Sequence, residues 1–373
     1  GPSLPAGTTS AASISSAGIA SPATLRRPSV RHANKVVTIL ACAIFGPLML
    51  AFAAAPAFAA FDWPRPPAGA ALLAVAGVAM AIPRHRLPGR RLALLALLPL
   101  FAFRSERPAP GFARVEVLDV GHGLAVIVET ANHRLLYDAG PRFRSGFDAG
   151  DDIVLPAIAA GGSAPLDLMI LSHGDTDHAG GAAAVVARYP DVRVLGGADV
   201  DQVEVAPCVA GLAWVFDDVR FRVLHPAADA SLDGNDGSCV VHVETRAGSM
   251  LLTGDIETRA EARVIRADPA ADVVTVPHHG SATSSTARFV AAVSPSLAVV
   301  SAAYNNRWGF PRAEVTGRWQ ARGANVLVTG DRGAIAIEFG IDGITFSSLR
   351  DARHRYWRAK PGSVSGAPES SAL

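Results

Sequence analysis

Between Leu171 and Gly181 the chain reads Leu-Ser-His-Gly-Asp-Thr-Asp-His-Ala-Gly-Gly. This puts two imidazoles, His173 and His178, and two carboxylates, Asp175 and Asp177, within six residues. Groups of these types can share a cation: neutral imidazole suits Zn, Mn and Fe, and added carboxylates shift the preference toward harder ions such as Mn. The run 166–171 ahead of them is apolar and reads as a buried strand, and Ala179-Gly180-Gly181 opens an Ala-rich helix over about 179–189. The four side chains are therefore expected on a strand-to-helix loop, where alternate positions converge on one point. The competing reading, a polar helix start with Asp177 as its N-cap, accounts for one carboxylate and leaves three ligand-type side chains over.

Three more turns carry the same kinds of group after predicted strands: Asp138 in Tyr-Asp-Ala-Gly, Asp255 in Leu-Leu-Thr-Gly-Asp, and His278-His279 before Gly280-Ser281. Three antiparallel strands are read at 114–120, 125–128 and 134–137, separated by the turn signals Gly121-His122-Gly123 and Ala131-Asn132-His133. A helix over 151–160 leads into the strand at 166–171. Strands follow near 192–195, 213–216, 219–224, 238–245 and 249–253. Helices near 257–267, 284–293 and 312–321 then alternate with strands near 272–276, 297–300, 325–328 and 334–339. Strand-rich halves that each end in helices predict an α/β fold of two packed sheets with helices outside.

The rest of the chain is organised differently. Residues 1–34 are rich in Ser, Ala, Thr, Gly and Pro and read as a flexible segment. Over 35–104 about three transmembrane helices are expected: residues 36–60 carry no charge, and shorter apolar runs follow at 68–82 and 92–103. A signal peptide ending at Ala57-Phe58-Ala59 is the alternative for the first run. Arg84, Arg86, Arg90 and Arg91 between the later runs, and the basic flank before residue 36, both fall on the cytoplasmic side by the positive-inside rule. The chain is thus expected in the inner (cell) membrane, multi-pass, with everything past residue 104 outside the cytoplasm. The soluble domain is read as 111–345, with a disordered basic tail at 350–373. The first residue is not Met, so a fragment or a processed chain is expected. The net charge of +1 neither favours nor excludes an anionic partner. Of the three cysteines, Cys42 lies in the apolar run. Cys208 and Cys239 lack the spacing of a zinc knuckle, and are expected either as a disulfide outside the cytoplasm or as two free thiols.

Taken in order, the Asp-Gly turn, His-x-Asp-x-Asp-His, Thr-Gly-Asp and His-His-Gly resemble the metallo-β-lactamase fold, an αββα sandwich. Leu118-Asp119-Val120-Gly121-His122-Gly123, the loop at 172–178, Asn235-Asp236-Gly237-Ser238-Cys239 and Pro277-His278-His279-Gly280-Ser281 are similar to the soluble domain of ComEC-type DNA-internalisation competence proteins. Spans just ahead of that domain match the family's layout, of which this chain would be the C-terminal part. The resemblance implies one or two divalent ions, Mn or Zn. His173 and Asp175 would hold one, Asp177, His178 and His279 the other, with Asp255 bridging. Asp138 would orient a ligand imidazole, and His278, Asn235 and Ser281 would stand behind the ligands or touch substrate. Two residues depart from the subgroup: His122 where it carries Gln, and Phe310 where it tends to carry His. His122 is expected chiefly as an exposed turn residue, with a place near the ions as the alternative.

The chemistry so implied is hydrolysis of a phosphodiester. Water held by the ions would have its pKa lowered and act as nucleophile, Asp177 would take up its proton, and the ions would offset charge building on the phosphoryl oxygens. Ser281 and Thr283 are expected as helix caps before phosphate donors, and Arg142, Arg144, Arg307, Arg312 and Arg332 as surface cations able to meet phosphates. The function expected is nuclease action on DNA during uptake for transformation, degrading the strand that is not imported, with DNA, the membrane and other uptake proteins as partners. The alternatives are a metallo-hydrolase of small esters or lactones, and a non-catalytic DNA-binding or gating domain.

Overall fold

The computed structural model describes residues 68–81, 95–99, 106–162, 164–228 and 233–352. The expectations for the segment 1–34, for the apolar run 36–60, for nearly all of 82–103 and for the tail beyond residue 352 lie outside the described residues. Among the described residues ahead of the sheets is a helix, α1 (Ala68–Ala81), apolar on every side and with Leu72, Val75 and Met80 exposed. Its 14 residues rise about 21 Å, short of the roughly 30 Å of a bilayer core. Among the described residues no helix is long and apolar enough to cross a membrane.

Two sheets follow. The first begins with β1 (Ala113–Val117), β2 (Val126–Glu129) and β3 (Arg134–Tyr137), antiparallel as the sequence predicts, and continues with β4 (Leu168–Leu171), β5 (Arg193–Gly196) and β6 (Ala206–Pro207), each parallel to its neighbour. On the far side of β1 lie β14 (Ile335–Gly340) and β15 (Gly343–Ser348). The second holds β7 (Ala213–Phe216), β8 (Val219–His225), β9 (Val240–Glu244) and β10 (Ser249–Leu252) as an antiparallel meander. It then turns parallel through β11 (Val273–Thr275), β12 (Leu297–Val300) and β13 (Asn325–Val328).

The two-residue period of a strand decides which side chains go where. Val126, Val128, Leu135, Tyr137, Leu168 and Ile170 from the first sheet meet Val241, Val243, Met250, Leu252, Val273 and Val299 from the second in one central core. The intervening residues face outward onto helices. Ile127, Leu136, Met169 and Leu171 meet α2 (Leu155–Ala160) and α4 (Ala182–Arg188). Leu251, Val274, Ala298 and Val300 meet α5 (Thr258–Val264), α6 (Ala287–Val293) and α7 (Ala313–Gln320). Central strands covered on both faces need apolar residues at nearly every position, which is why β4 and β12 read as unbroken apolar runs. The result is the helix–sheet–sheet–helix layering expected.

Some boundaries move. The helix after the His/Asp loop begins earlier than read, as the short α3 (Thr176–Ala179), so Asp177 and His178 stand on helix rather than ahead of it. Asp177 caps nothing; Asp175 occupies the cap position, and its side chain makes no capping hydrogen bond. The segment read as a helix from 151 starts as a wider, π-type turn over Gly150–Val154 before α2. Strands β6 and β15 were not read from the sequence.

Candidate metal centre

Parallel strands β3 and β4 of the first sheet and β10, β11 and β12 of the second end at the same edge of the sandwich. Their following loops carry Asp138, residues 172–178, Asp255, His278-His279 and Ser301. Two glycines let the loops close. A Cβ at Gly174 would lie 1.8 Å from the carbonyl oxygen of Asp199, so no larger residue fits between His173 and Asp175. Gly123 has φ +141° and would put a Cβ 2.3 Å from the carbonyl oxygen of Asp177, so the turn bearing His122 can lie against α3.

Asp177, His178, Asp255 and His279 each offer one ligand atom, and these atoms lie within 4.8 Å of one another. His178 Nε2 is 3.1 Å from Asp255 Oδ1 and 3.2 Å from His279 Nε2. His279 Nε2 is 3.3 Å from Asp177 Oδ2 and 3.4 Å from Asp255 Oδ2. The far nitrogen of each ring is committed elsewhere. His178 Nδ1–H donates to Asp138 Oδ2 at 2.7 Å, and His279 Nδ1–H donates to the Ser301 carbonyl at 2.7 Å. Asp138 is wholly buried and is itself held by Ser172, whose N–H donates to Oδ1 at 2.6 Å and whose Oγ–H donates to Oδ2 at 2.8 Å. Both Nε2 lone pairs therefore point into one space, too close for both nitrogens to carry a proton. Two bare nitrogens facing two carboxylates in a buried pocket are the donor set of a divalent cation. The residues fit the group that the sequence implies.

The electrostatics agree. Burial opposes ionisation of Asp255, but His178 and His279 override it and hold the carboxyl well below its usual range. Burial likewise opposes ionisation of Asp177, and His178 and a hydrogen bond from His279 lower its pKa all the same. Burial would lower the pKa of His178 and His279; Asp255 and its neighbouring carboxylates raise both instead. The pocket thus carries negative charge that only protons or a cation can offset.

The other expected ligands are more loosely placed. His173 is buried, with its ring centroid 4.4 Å from that of His178, and its Nε2 has no hydrogen-bond partner among the described residues. Asp175 Oδ2 lies 3.5 Å from that nitrogen on a side chain 61% exposed. The structure thus brings four of the six expected ligands into one group and leaves His173 and Asp175 as a pair beside it. His278 Nδ1 lies 2.9 Å from Glu257 Oε1, and Asn235 Nδ2 lies 3.4 Å from the same ring nitrogen. Ser281 Oγ is 2.9 Å from Thr283 Oγ1, and Thr283 donates to Glu257 at 2.7 Å. Neither caps a helix as expected: Thr286, whose side chain accepts from Phe289 N, caps α6.

His122 corrects a stronger expectation. It is not an exposed turn residue but part of the wall of the cleft. Its ring stacks on Trp308 at 3.9 Å and 13°, lies 4.5 Å from His279 between centroids, and brings Nε2 to 3.9 Å from Asp177 Oδ2. Burial, reinforced by His279, drops its pKa to about 4. The cleft measures about 390 Å³ and is lined by Phe143, Arg307, Trp308 and Phe310 as well as by Asp177, Asp255 and His279 of the cluster. Phe143, Trp308 and Tyr304 were not singled out in the sequence; adjacent arginines could have marked the first two, and nothing local marks Tyr304. Of the arginines expected to meet phosphate, Arg332 is taken by Asp351 at 2.9 Å and Arg142 lies 3.4 Å from Asp148. Behind the cluster Cys208 and Cys239, both buried, form a disulfide with their Cα atoms 5.9 Å apart.

Residues 118–204 match a family model described as the metallo-beta-lactamase superfamily. The chain is 34% identical over 78% of its length to "Competence protein ComA" of Neisseria gonorrhoeae, covering 41% of that protein. It is 34% identical over 64% to "Recombination protein 2" of Haemophilus influenzae, covering 30% of it. It is also 30% identical over 60% to "ComE operon protein 3" of Bacillus subtilis, covering 33% of it. The chain is homologous to part of these ComEC-type competence proteins. It spans less than half the length of these relatives. Its sandwich is the metallo-β-lactamase fold, and among its ComEC-type features the cluster at the strand ends is the part able to do chemistry.

Proposed function

We propose that this chain is a membrane-anchored, metal-dependent phosphodiester hydrolase that acts on DNA during uptake and degrades the strand that is not imported. The observation that carries this reading is the convergence of Asp177, His178, Asp255 and His279 at the floor of a cleft whose rim is arginine and aromatic. Asp177, His178, Asp255 and His279 would hold one divalent ion, and His173 with Asp175, sharing Asp255, a second and weaker one. Such an ion supplies Lewis-acid charge for a phosphoryl oxygen and makes water acidic near neutral pH. The protein's own part is positional. Asp138 and the Ser301 carbonyl fix the tautomers and aim of His178 and His279. Asp177, on the open side of the cluster, can hold a proton taken from the attacking water. Arg307, exposed at the rim, can meet the phosphate.

An aromatic wall would also suit a small ester, the second hydrolytic reading. The cations at the rim favour a polyanion instead: Arg307 and Arg312 make no salt bridge among the described residues and lie over Trp308 and Phe310 at 4.3 and 5.5 Å. The test is digestion of an end-labelled oligonucleotide by the full chain in detergent with Mn²⁺, set beside chromogenic esters. Cleavage of DNA that stops with chelator and with Asp177→Ala is expected. Ester turnover without DNA cleavage, or DNA cleavage indifferent to Asp177→Ala, refutes the proposal.

A further inference from the structure

We infer that two loops flanking the cleft, residues 142–144 and 304–312, form a grip for single-stranded DNA, stacking unpaired bases on their rings and meeting phosphates with their guanidiniums. This rests on the DNA reading above and adds to it which form of DNA the site accepts. The two loops lie far apart in the chain, and both set aromatic residues beside arginines. One reads Arg142-Phe143-Arg144; the other holds Tyr304, Arg307, Trp308, Phe310 and Arg312. Phe143, Trp308 and Phe310 all line the metal cleft. Large aromatic side chains are ordinarily covered, yet Tyr304 is 64%, Phe143 48% and Trp308 39% exposed. Trp308 lies between His122 and the Arg307 guanidinium and serves as the brace of the wall, while the exposed rings of Phe143 and Tyr304 beside unpaired arginines match the way non-specific single-strand sites are built, because every base offers a π-face and every nucleotide a phosphate.

The longer loop is ordered before any ligand arrives. Asn306 Oδ1 accepts from Phe310 N at 3.0 Å while its Nδ2 donates to the Ala303 carbonyl at 2.9 Å. Arg312 N donates to the Gly280 carbonyl at 2.9 Å, tying the loop to the turn that carries His279. His122 braces Trp308 from below. Rings held in place lose little freedom on binding. The acidic groups facing these rings are Asp175, Asp177 and Asp255 on the cleft floor, whose charge a bound cation offsets. Arg144, Arg307 and Arg312 have no salt bridge among the described residues. A duplex keeps its base faces stacked inside and offers these rings nothing, so the arrangement selects a strand already separated from its complement.

The test is fluorescence anisotropy of the full chain in detergent with a labelled phosphorothioate thymidine oligonucleotide and with a phosphorothioate duplex, which resist hydrolysis, in Mn²⁺ so that the charge of the acidic floor stays offset. The single strand is expected to bind more tightly. Phe143→Ala and Phe310→Ala should each weaken it about fivefold or more. Arg144→Ala and Arg307→Ala should each flatten the dependence of log affinity on log salt by about 0.7. If a ring-to-alanine variant does not fold, Phe143→Leu and Phe310→Leu keep the apolar bulk and remove only the π-face. Equal affinity for duplex and single strand, or variants that fold and bind as the parent does, overturns the grip. Cleavage of DNA with unaltered binding by these variants would sink the grip and leave the hydrolase reading standing. Ring-dependent binding without cleavage in Mn²⁺ would do the reverse.

Discussion

Asp138→Asn is the change that asks most directly whether the cluster is a metal site. Asp138 contacts one ligand position directly, His178, and reaches His173 through Ser172 Oγ; it accepts three hydrogen bonds: from Ser172 N at 2.6 Å, Ser172 Oγ at 2.8 Å and His178 Nδ1 at 2.7 Å. A backbone N–H cannot change its role, so the asparagine must turn its carbonyl oxygen toward Ser172 N. That leaves its NH₂ facing Ser172 Oγ and His178 Nδ1. The imidazole must then accept at Nδ1 and carry its proton on Nε2, the atom aimed at the cluster 3.1 Å from Asp255. A protonated Nε2 cannot bind a cation, so each binding event has to restore the other tautomer against a donor–donor contact. Losing a partner of this kind typically weakens metal affinity about 10–100-fold, or about 1.4–2.8 kcal/mol. The assay is competition between the protein and a chromogenic chelator for Mn²⁺ and Zn²⁺, with the unfolding midpoint of the metal-free protein measured alongside. Ser172→Ala, which removes the Oγ contacts with Asp138 and His173 Nδ1 and leaves the carboxylate under His178, should lose less. Metal affinity unchanged in a folded Asp138→Asn protein would refute the reasoning, because the tautomer of His178 would then not matter.

The remaining predictions concern the scaffold. Arg134 is fully buried with Nε 2.8 Å from Glu129 Oε1, and Arg107 reaches the same oxygen at 3.0 Å; Glu129→Ala leaves the Arg134 charge unpaired and should cost about 3–5 kcal/mol of stability in urea unfolding. His225, buried with Nε2 2.8 Å from the Asp236 carbonyl, has its pKa lowered, first by burial and then by Arg263 against the pull of Asp236. Its unfolded form therefore takes a proton more readily, so stability is full above about pH 6.5 and falls as pH drops toward the folded pKa; His225→Gln should flatten that part of the urea-midpoint profile. Cys208→Ser opens a covalent loop spanning a sequence separation of 31 and should lower unfolding stability by about 3–4 kcal/mol, with reducing agent doing the same to the parent and nothing further to the variant.

The parts of the fold that could be read in advance are those governed by local pattern. Central strands buried on both faces are apolar at nearly every position, and β1, β2 and β3 announce themselves by short alternating or apolar runs between glycine- and asparagine-bearing turns. The candidate ligands were legible for a related reason: each follows a strand, and the parallel strands of an α/β sandwich end on one side, so groups far apart in the chain share an edge. Strand β15 was missed because its pattern, from Gly343 to Ser348, alternates buried and exposed residues only loosely. It becomes a strand by pairing with β14 from Ile335 to Gly340, not by any preference of its own. The early start of α3 was missed because its helical turn is set by backbone bonds from His178, Ala179 and Gly180 back to Asp175 and Thr176, while Gly180-Gly181 argued for a later beginning.

His122 and Phe310 show where reading by position stops. Taken singly each departs from the subgroup's pattern, and each alone suggests a weakened site. In space their rings lie 5.8 Å apart on the same wall of the cleft, with Trp308 stacked on His122. No spacing rule joins residue 122 to residue 310. Their meeting depends on the left-handed Gly123 letting Leu124 N reach the Asp177 carbonyl at 3.1 Å, and on Ser301 Oγ donating to the Gly123 carbonyl at 2.6 Å. Those two bonds tie the His122 turn to the loop with Asp177 and to the end of β12, from which the 304–312 loop departs. An imidazole is thus present on this wall although position 310 does not supply it, and the aromatic ring at 310 stands free to hold a base. Exchanging the two, with His122→Gln and Phe310→His made together, should keep metal binding and weaken the grip on a single strand. If instead the double variant bound single strands as tightly as the parent, the ring at 310 would have no part in holding DNA.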